Sequence, residues 1–291
     1  MASRRRPRWY FSLRSPYSWF AYRDLMSTHP EVLDSIDWLP FWEPDEETAR
    51  LLADEGVTLP IVAMSRAKNF YILQDTRRLA TERGLADITW PIDRDPCWEV
   101  AHLAWIAAED EGRGKEFVAA AYRARWQEGK NISEPGVIAA IAEELGLDAE
   151  RLSTAASDPQ LRKRGAALLA ESAHDGLFGV PFFINGRDKY WGVDRVAPFV
   201  RAVLGTERSD APAVDAPDPA THADLLPTGG DQGHAAAAAA EAGVVAAART
   251  AAIAPAAMAS ITAASDEETT VNSNAHGTAP GPDWDAIVVG A

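Results

Sequence analysis

The chain has 291 residues, a single cysteine and a formal charge of −15, which allows one large or two ordinary domains. It excludes a disulfide framework or a Cys-rich zinc site and offers no global basic surface for nucleic acid. No apolar run approaches the ~18 residues of a membrane span.

The charge is uneven: residues 206–291 carry 12 acidic and 2 basic side chains against 31 and 26 in residues 1–205, which also hold nine of the ten tryptophans. Core and tail are therefore expected to part near Gly205. From the N-terminus, a short basic cluster (Arg4-Arg5-Arg6) has no apolar signal core behind it, which predicts a cytoplasmic protein. Trp9-Tyr10-Phe11 then reads as a strand, and Ser15-Pro16-Tyr17-Ser18 as a turn into a helix with Trp19, Tyr22, Leu25 and Met26 at helical spacing. Proline suits the first helical position and a preceding serine caps free amides, so Ser15 marks the helix start. The free N–H groups and positive dipole end there favour an anion such as a thiolate. A disulfide oxidoreductase carries Cys-x-x-Cys on such a turn. Serine at both positions cannot cycle through a disulfide but can donate a hydrogen bond to a bound thiolate. An ordinary helix cap accounts for the same residues.

Residues 35–41 alternate in polarity and predict a second strand, closing a βαβ unit. Acidic residues 43–47 open a helix, and helical runs follow at 66–83, 98–110, 115–127 and 135–145. Lys68, Tyr71 and Asp75 fall at i, i+3 and i+7, so they share one helical face and can reach one cleft, although Lys68 and Asp75 fit a solvated surface equally well. Cys97 reads as a partly buried small hydrophobe. His29, His102 and His174 are isolated, with no partner at metal-ligand spacing, so no metal is predicted. Aromatics at 19, 20, 38, 41 and 42 are mostly core material, with one or two, Trp42 among them, expected at a substrate pocket. Residues 178–184 and 189–191 predict a hairpin and 194–204 a closing helix. Order and periodicity alone predict an α/β domain with a helical insertion at about 44–175.

Ser-Pro-Tyr-Ser-Trp at 15–19, Lys68-x-x-Tyr71-x-x-x-Asp75, Asn-Ile-Ser-Glu-Pro at 131–135, Gly-Val-Pro at 179–181 and Trp-Gly-x-Asp-Arg at 191–195 occur in this order. In that order they resemble the glutathione-dependent 2-hydroxychromene-2-carboxylate isomerases and kappa-class glutathione transferases, within the DsbA-like branch of the thioredoxin fold. The resemblance covers residues 8–204. It implies a thioredoxin-like fold, Ser15 as stabiliser of a bound glutathione thiolate, and a cis Val180–Pro181 bond that turns the Val180 backbone toward the ligand. It further implies Gly192 and Asp194 at the γ-glutamyl end, Asp75 beside the thiol, and Lys68, Tyr71 and Trp42 toward an aromatic or unsaturated carboxylate substrate. Asp194 would equally cap the last helix. The implied reaction is a thiol-assisted isomerisation. A transferase, or a redox-inactive module that binds a partner, would use the same scaffold. A homodimer through the helical insertion is also implied.

Three residues depart from the family pattern: Ser12 stands where an aspartate is usual, Arg14 directly precedes the key serine, and Val193 replaces a polar residue. Arg14 or Arg195 would then compensate as an anion contact. Residues 206–280, rich in Ala, Pro, Ser, Thr and Asp, predict a disordered linker. Residues 281–291, ending Ile-Val-Val-Gly-Ala, resemble the first strand of a truncated FAD- or NAD-binding Rossmann domain. Its glycine fingerprint would need residues beyond Gly290, so FAD and a fused flavoprotein oxygenase are expected only if a further domain follows.

Overall fold

A computed structural model describes residues 5–61, 65–85 and 88–206. The expected linker at 206–280 and the Rossmann-like strand at 281–291 lie outside the described residues, except for Thr206.

Arg8–Phe11 forms β1, and every residue of it is buried. A strand covered on both faces needs such an unbroken apolar run. Successive side chains alternate sides: Trp9 and Phe11 enter the main core with Phe183 and Phe199, whereas Tyr10 joins Leu177, Phe182 and Ile184 on the other face. The chain crosses through α1 (Pro16–Thr28) to β2 (Asp37–Pro40), which pairs parallel to β1 with Trp9 opposite Trp38. β3 (Phe182–Asn185) pairs antiparallel to β1, and β4 (Asp188–Trp191) antiparallel to β3, giving the order β2-β1-β3-β4. A βαβ unit followed by a hairpin and a closing helix is the α/β order that the sequence predicts and the thioredoxin-like arrangement that the resemblance implies.

Between β2 and β3 the chain inserts α2 (Glu46–Asp54), α3 (Arg66–Glu82), α4 (Glu99–Asp110), α5 (Gly114–Trp126), α6 (Pro135–Leu145), α7 (Ala149–Ser153) and α8 (Pro159–His174). Residues 99–108 of α4 are all buried, and α4 packs against α5, α6, α7 and α8. It is the axis of the insertion. At Gly165 of α8 a Cβ would lie 2.5 Å from Leu103 Cδ2 of α4 and 3.2 Å from the Trp42 ring, so glycine sets that close approach. Neither α7 nor α8 stands out as a periodic run in the sequence, yet Asp158-Pro159 is a start signal in plain view: the Asp158 carboxylate accepts from the N–H groups of Gln160 and Leu161.

The closing helix α9 is Val196–Leu204, two residues shorter than predicted. Asp194 sits in a 3₁₀ turn, Val193–Arg195, and no side chain caps α9. The capping role open to Asp194 in the sequence is thus absent.

Candidate active site

The segment between β1 and α1 is anchored through the backbone of Ser12, Leu13 and Ser15. Ser15 N–H bonds Ser12 C=O at 3.1 Å, Ser12 N–H donates to Ser18 Oγ at 3.2 Å, and the buried Tyr122 hydroxyl of α5 donates to Ser12 C=O at 3.1 Å. Leu13 N–H donates to His102 Nε2 at 3.1 Å, and His102 Nδ1 lies 2.7 Å from Trp98 C=O. A carbonyl can only accept, so Nδ1 carries the proton and Nε2 presents its lone pair. Burial pushes the His102 pKa down to about 3, which keeps the ring neutral. The ring also stacks on Trp42, 5.1 Å between centroids.

On this base Ser15 caps α1: its Oγ accepts from Ser18 N–H at 3.3 Å, and Pro16 fills the position where an N–H would be idle. Ser15 is half-buried. Among the described residues no acceptor takes its hydroxyl proton or the Tyr17 N–H. Two donors at a helix N-terminus are therefore left to meet an anion.

Tyr17 brings α3 to this turn. Its hydroxyl donates to Asp75 Oδ2 at 2.9 Å, and Arg78 holds Asp75 Oδ1 at 3.0 Å while its guanidinium lies 5.6 Å from the Tyr71 ring centre. Burial first, and then the bond to Asp75, push the Tyr17 pKa above its ordinary range. Tyr71 and Asp75 thus gather around Tyr17. Lys68 shares their helix, is exposed, and has no ion-pair partner among the described residues.

The second wall comes from the turn before β3. Val180–Pro181 is cis, as expected. Among the described residues no hydrogen bond engages the Val180 N–H or C=O. Pro181 C=O accepts from Gly192 N–H at 3.0 Å, and Gly192 has φ of 106°, a conformation that favours glycine. A Cβ there would approach Asp194 Oδ1 to 2.7 Å. The Asp194 side chain is 66 % exposed, 3.3 Å from Arg195, on a turn that packs against α1. Phe178 and Trp191, both exposed, meet edge-on beside Val180 with centroids 5.0 Å apart.

One expectation gives way. Trp42 is 1 % exposed, held between His102 and Gly165 with its Nε1 on Glu99 Oε1 at 3.2 Å, so it packs the core and lines no open pocket. Its place beside the one indole-sized gap in α8 is a packing demand that sequence spacing does not reveal. His102, isolated in sequence, holds the turn before Ser15. Of the proposed anion contacts, Arg14 is already paired with Glu43 at 2.8 Å and lies 5.4 Å from the Trp98 ring centre. Cys97 is half-buried; burial and then Glu99 raise its pKa, and its S–H points to Glu99 Oε2 at 3.7 Å. Asp45, Cys97 and Glu99 bring three ligand-type atoms within 4.8 Å of one another. Arg162 engages Asp45 at 2.7 Å, and Glu99 accepts from Trp42 and from Asp45 N–H at 2.7 Å.

The model of the DSBA-like thioredoxin domain family matches residues 8–204. Among solved structures, a 2-hydroxychromene-2-carboxylate isomerase superposes with a TM-score of 0.54 at 22 % identity, over 69 % of this chain and 94 % of that one. A probable DsbA oxidoreductase from Streptomyces coelicolor superposes with a TM-score of 0.50 at 21 % identity, over 72 % and 94 %. At these identities the likeness is one of fold. No curated protein matches the chain significantly.

Proposed function

The chain belongs to the DsbA-like thioredoxin-domain family, and from that premise we propose that it is a thiol-dependent isomerase acting in the cytoplasm on an aromatic or unsaturated carboxylate, with glutathione or a related small thiol as catalyst. The observation that carries this reading is the pair of donors, Ser15 O–H and Tyr17 N–H, that no acceptor takes among the described residues, on a turn with serine at both positions 15 and 18. The sulfur must come from a ligand. A thiolate at the turn would be stabilised by the Ser15 hydroxyl and the helix N-terminus, so more of it is ionised near neutral pH.

The thiolate adds to an electrophilic carbon conjugated to a carbonyl: a C–S bond forms and the π electron pair moves onto the carbonyl oxygen. The former double bond becomes single and rotates. The pair then returns, the C–S bond breaks, and the thiolate is regenerated. The Val180 N–H and C=O, unengaged among the described residues, supply strand-like pairing for a peptide thiol, and Asp194, exposed and beside the Gly192 turn, supplies a carboxylate for its ammonium group. Lys68, which has no ion-pair partner among the described residues, supplies a cation for the substrate carboxylate.

Calorimetry with glutathione on the wild type and Ser15→Ala, with thiolate absorbance followed against pH, tests the reading. Saturable binding with a bound-thiol pKa about 1–2 units below that of the free thiol, lost in Ser15→Ala, is expected. Absence of binding overturns it. A thioether product in place of regenerated thiol would assign the same site to a transferase.

A further inference from the structure

We propose that His102 is a positioning residue for the thiol-binding turn: by accepting the Leu13 N–H it holds segment 12–14 so that Ser15 presents its hydroxyl to the ligand. The inference rests on the thiol reading of Ser15 for its functional half and on geometry alone for its structural half.

His102 lies on α4, 89 positions from Leu13, fully buried, with each ring nitrogen engaged: Nε2 by Leu13 N–H at 3.1 Å and Nδ1 by Trp98 C=O at 2.7 Å. Its ring plane is fixed by the stacked Trp42, whose own Nε1 is tied to the buried Glu99. The nitrogen that faces the turn is therefore aimed by three residues: Trp98 and Glu99 at the start of α4, and Trp42 in the segment between β2 and α2. The Leu13 contact lies two residues before Ser15, and the Ser15 N–H returns to Ser12 C=O at 3.1 Å. Movement of segment 12–13 is thus passed to Ser15 by a backbone hydrogen bond rather than through open solvent.

The acceptor at Nε2 is available only while the ring is neutral. The charged groups that act on the ring are Arg14 on the turn and Arg125 on α5, both cations, and both work with burial against its protonation. Glu99, on the same helix, is directed toward Trp42 and the Asp45 N–H instead. Ser12 fits this setting. Its Oγ lies 3.5 Å from His102 Nε2, where a hydroxyl is compatible with a neutral ring and a carboxylate would instead draw a proton onto Nε2 and remove the acceptor.

The test uses the full chain with His102→Gln, which keeps one acceptor and one donor, and His102→Leu, which keeps neither. Amide hydrogen exchange is read at Leu13 and Ser15, and glutathione absorbance gives the bound-thiol pKa. The expected result is exchange at both amides about tenfold faster in His102→Leu, with Gln restoring most of the protection, and a bound-thiol pKa that rises in Leu and returns in Gln. A folded His102→Leu with wild-type protection overturns the proposal, as does one with wild-type thiol pKa when the wild type binds glutathione. If the wild type binds no glutathione, the thiol reading falls while the exchange data still decide the anchor. If His102→Leu fails to fold, imidazole nitrogen NMR of the wild type decides: a proton on Nδ1 supports the anchor and a proton on Nε2 overturns it.

Discussion

The Tyr17 hydroxyl donates to Asp75 Oδ2 at 2.9 Å, joining the first turn of α1 to the middle of α3 across 58 residues of sequence. The bond has two consequences, one for stability and one for ligand access. It ties two helices at the rim of the candidate site, and it occupies a carboxylate that we propose lies beside a bound thiol compound.

Tyr17→Phe removes the donor but keeps the ring. A loss of about 1 kcal/mol is expected from one hydrogen bond to a charged group that is partly solvated. Freed from Tyr17, Asp75 becomes available to a ligand ammonium or amide, so glutathione affinity is expected to rise about threefold, or ~0.6 kcal/mol. Urea melts and calorimetry on the same samples check both halves. Unchanged affinity would show that Asp75 does not meet the ligand.

Stability should fall with acid well above the carboxylate range. The His102 pKa lies at about 3 when folded and near 6.5 when unfolded. Between these values the unfolded chain binds the extra proton, so this contribution is complete above pH ~6.5 and is lost as the pH falls, by up to about 1.4 kcal/mol per pH unit. Carboxylates with lowered pKa values, Asp45 and Asp110 among them, add their own losses only near and below pH ~4. Denaturant melts between pH 4.5 and 6.5 isolate the histidine, and His102→Gln is expected to flatten the slope.

Asp93 and Arg125 form a two-pronged pair, 2.7 and 2.9 Å, with side chains only 3 % and 2 % exposed. The guanidinium lies 5.0 Å from the Trp98 ring centre and 4.9 Å from that of Trp126. Asp93→Asn leaves a buried cation without its counter-charge and is expected to cost about 3–5 kcal/mol, whereas replacing both members by apolar residues of similar size should cost much less. A double-mutant cycle by thermal melts separates the two outcomes.

Gly165→Ala should destabilise by about 1–3 kcal/mol through crowding, although alanine is the better helix former. The added Cβ meets Leu103 and Trp42. The double variant Gly165→Ala, Leu103→Ala should be less destabilised than the sum of the two single variants, and a melting temperature that rises in Gly165→Ala alone would contradict the close approach.

Local chemistry was legible in the sequence where it acts over a few residues. Ser15 and Pro16 report a helix start wherever they occur, and the buried run at β1 announces a strand covered on both faces. The long helix α8 escaped because Arg162, Lys163 and Arg164 break its apolar stripe. Arg162 is nevertheless buried, its charge met by Asp45 at 2.7 Å and by Ala156 C=O at 2.7 Å, a compensation supplied by residues far away in sequence. Trp42 was placed at a pocket, and the anchoring role of His102 was not seen, for the same reason. Their roles are set by each other and by Leu13 and Gly165, contacts spanning 60 to more than 120 positions, and no periodicity within a helix carries that information.

The insertion reaches into the turn through His102 and Tyr122, and this limits how the protein can be rebuilt. A shortened chain that joins β2 directly to β3 would keep all four strands and both flanking helices. It would also take the Tyr122 hydroxyl away from the Ser12 carbonyl and the His102 acceptor away from the Leu13 amide, leaving the turn before Ser15 held only by its own Ser15–Ser12 and Ser12–Ser18 bonds. Swapping the insertion for that of another DsbA-like protein would meet the same obstacle unless an acceptor and a donor arrived at matching heights. The helical layer and the sheet layer are therefore not interchangeable parts: specificity engineering has room in the surface of the insertion, while its α4 and α5 cores must travel with the turn they hold.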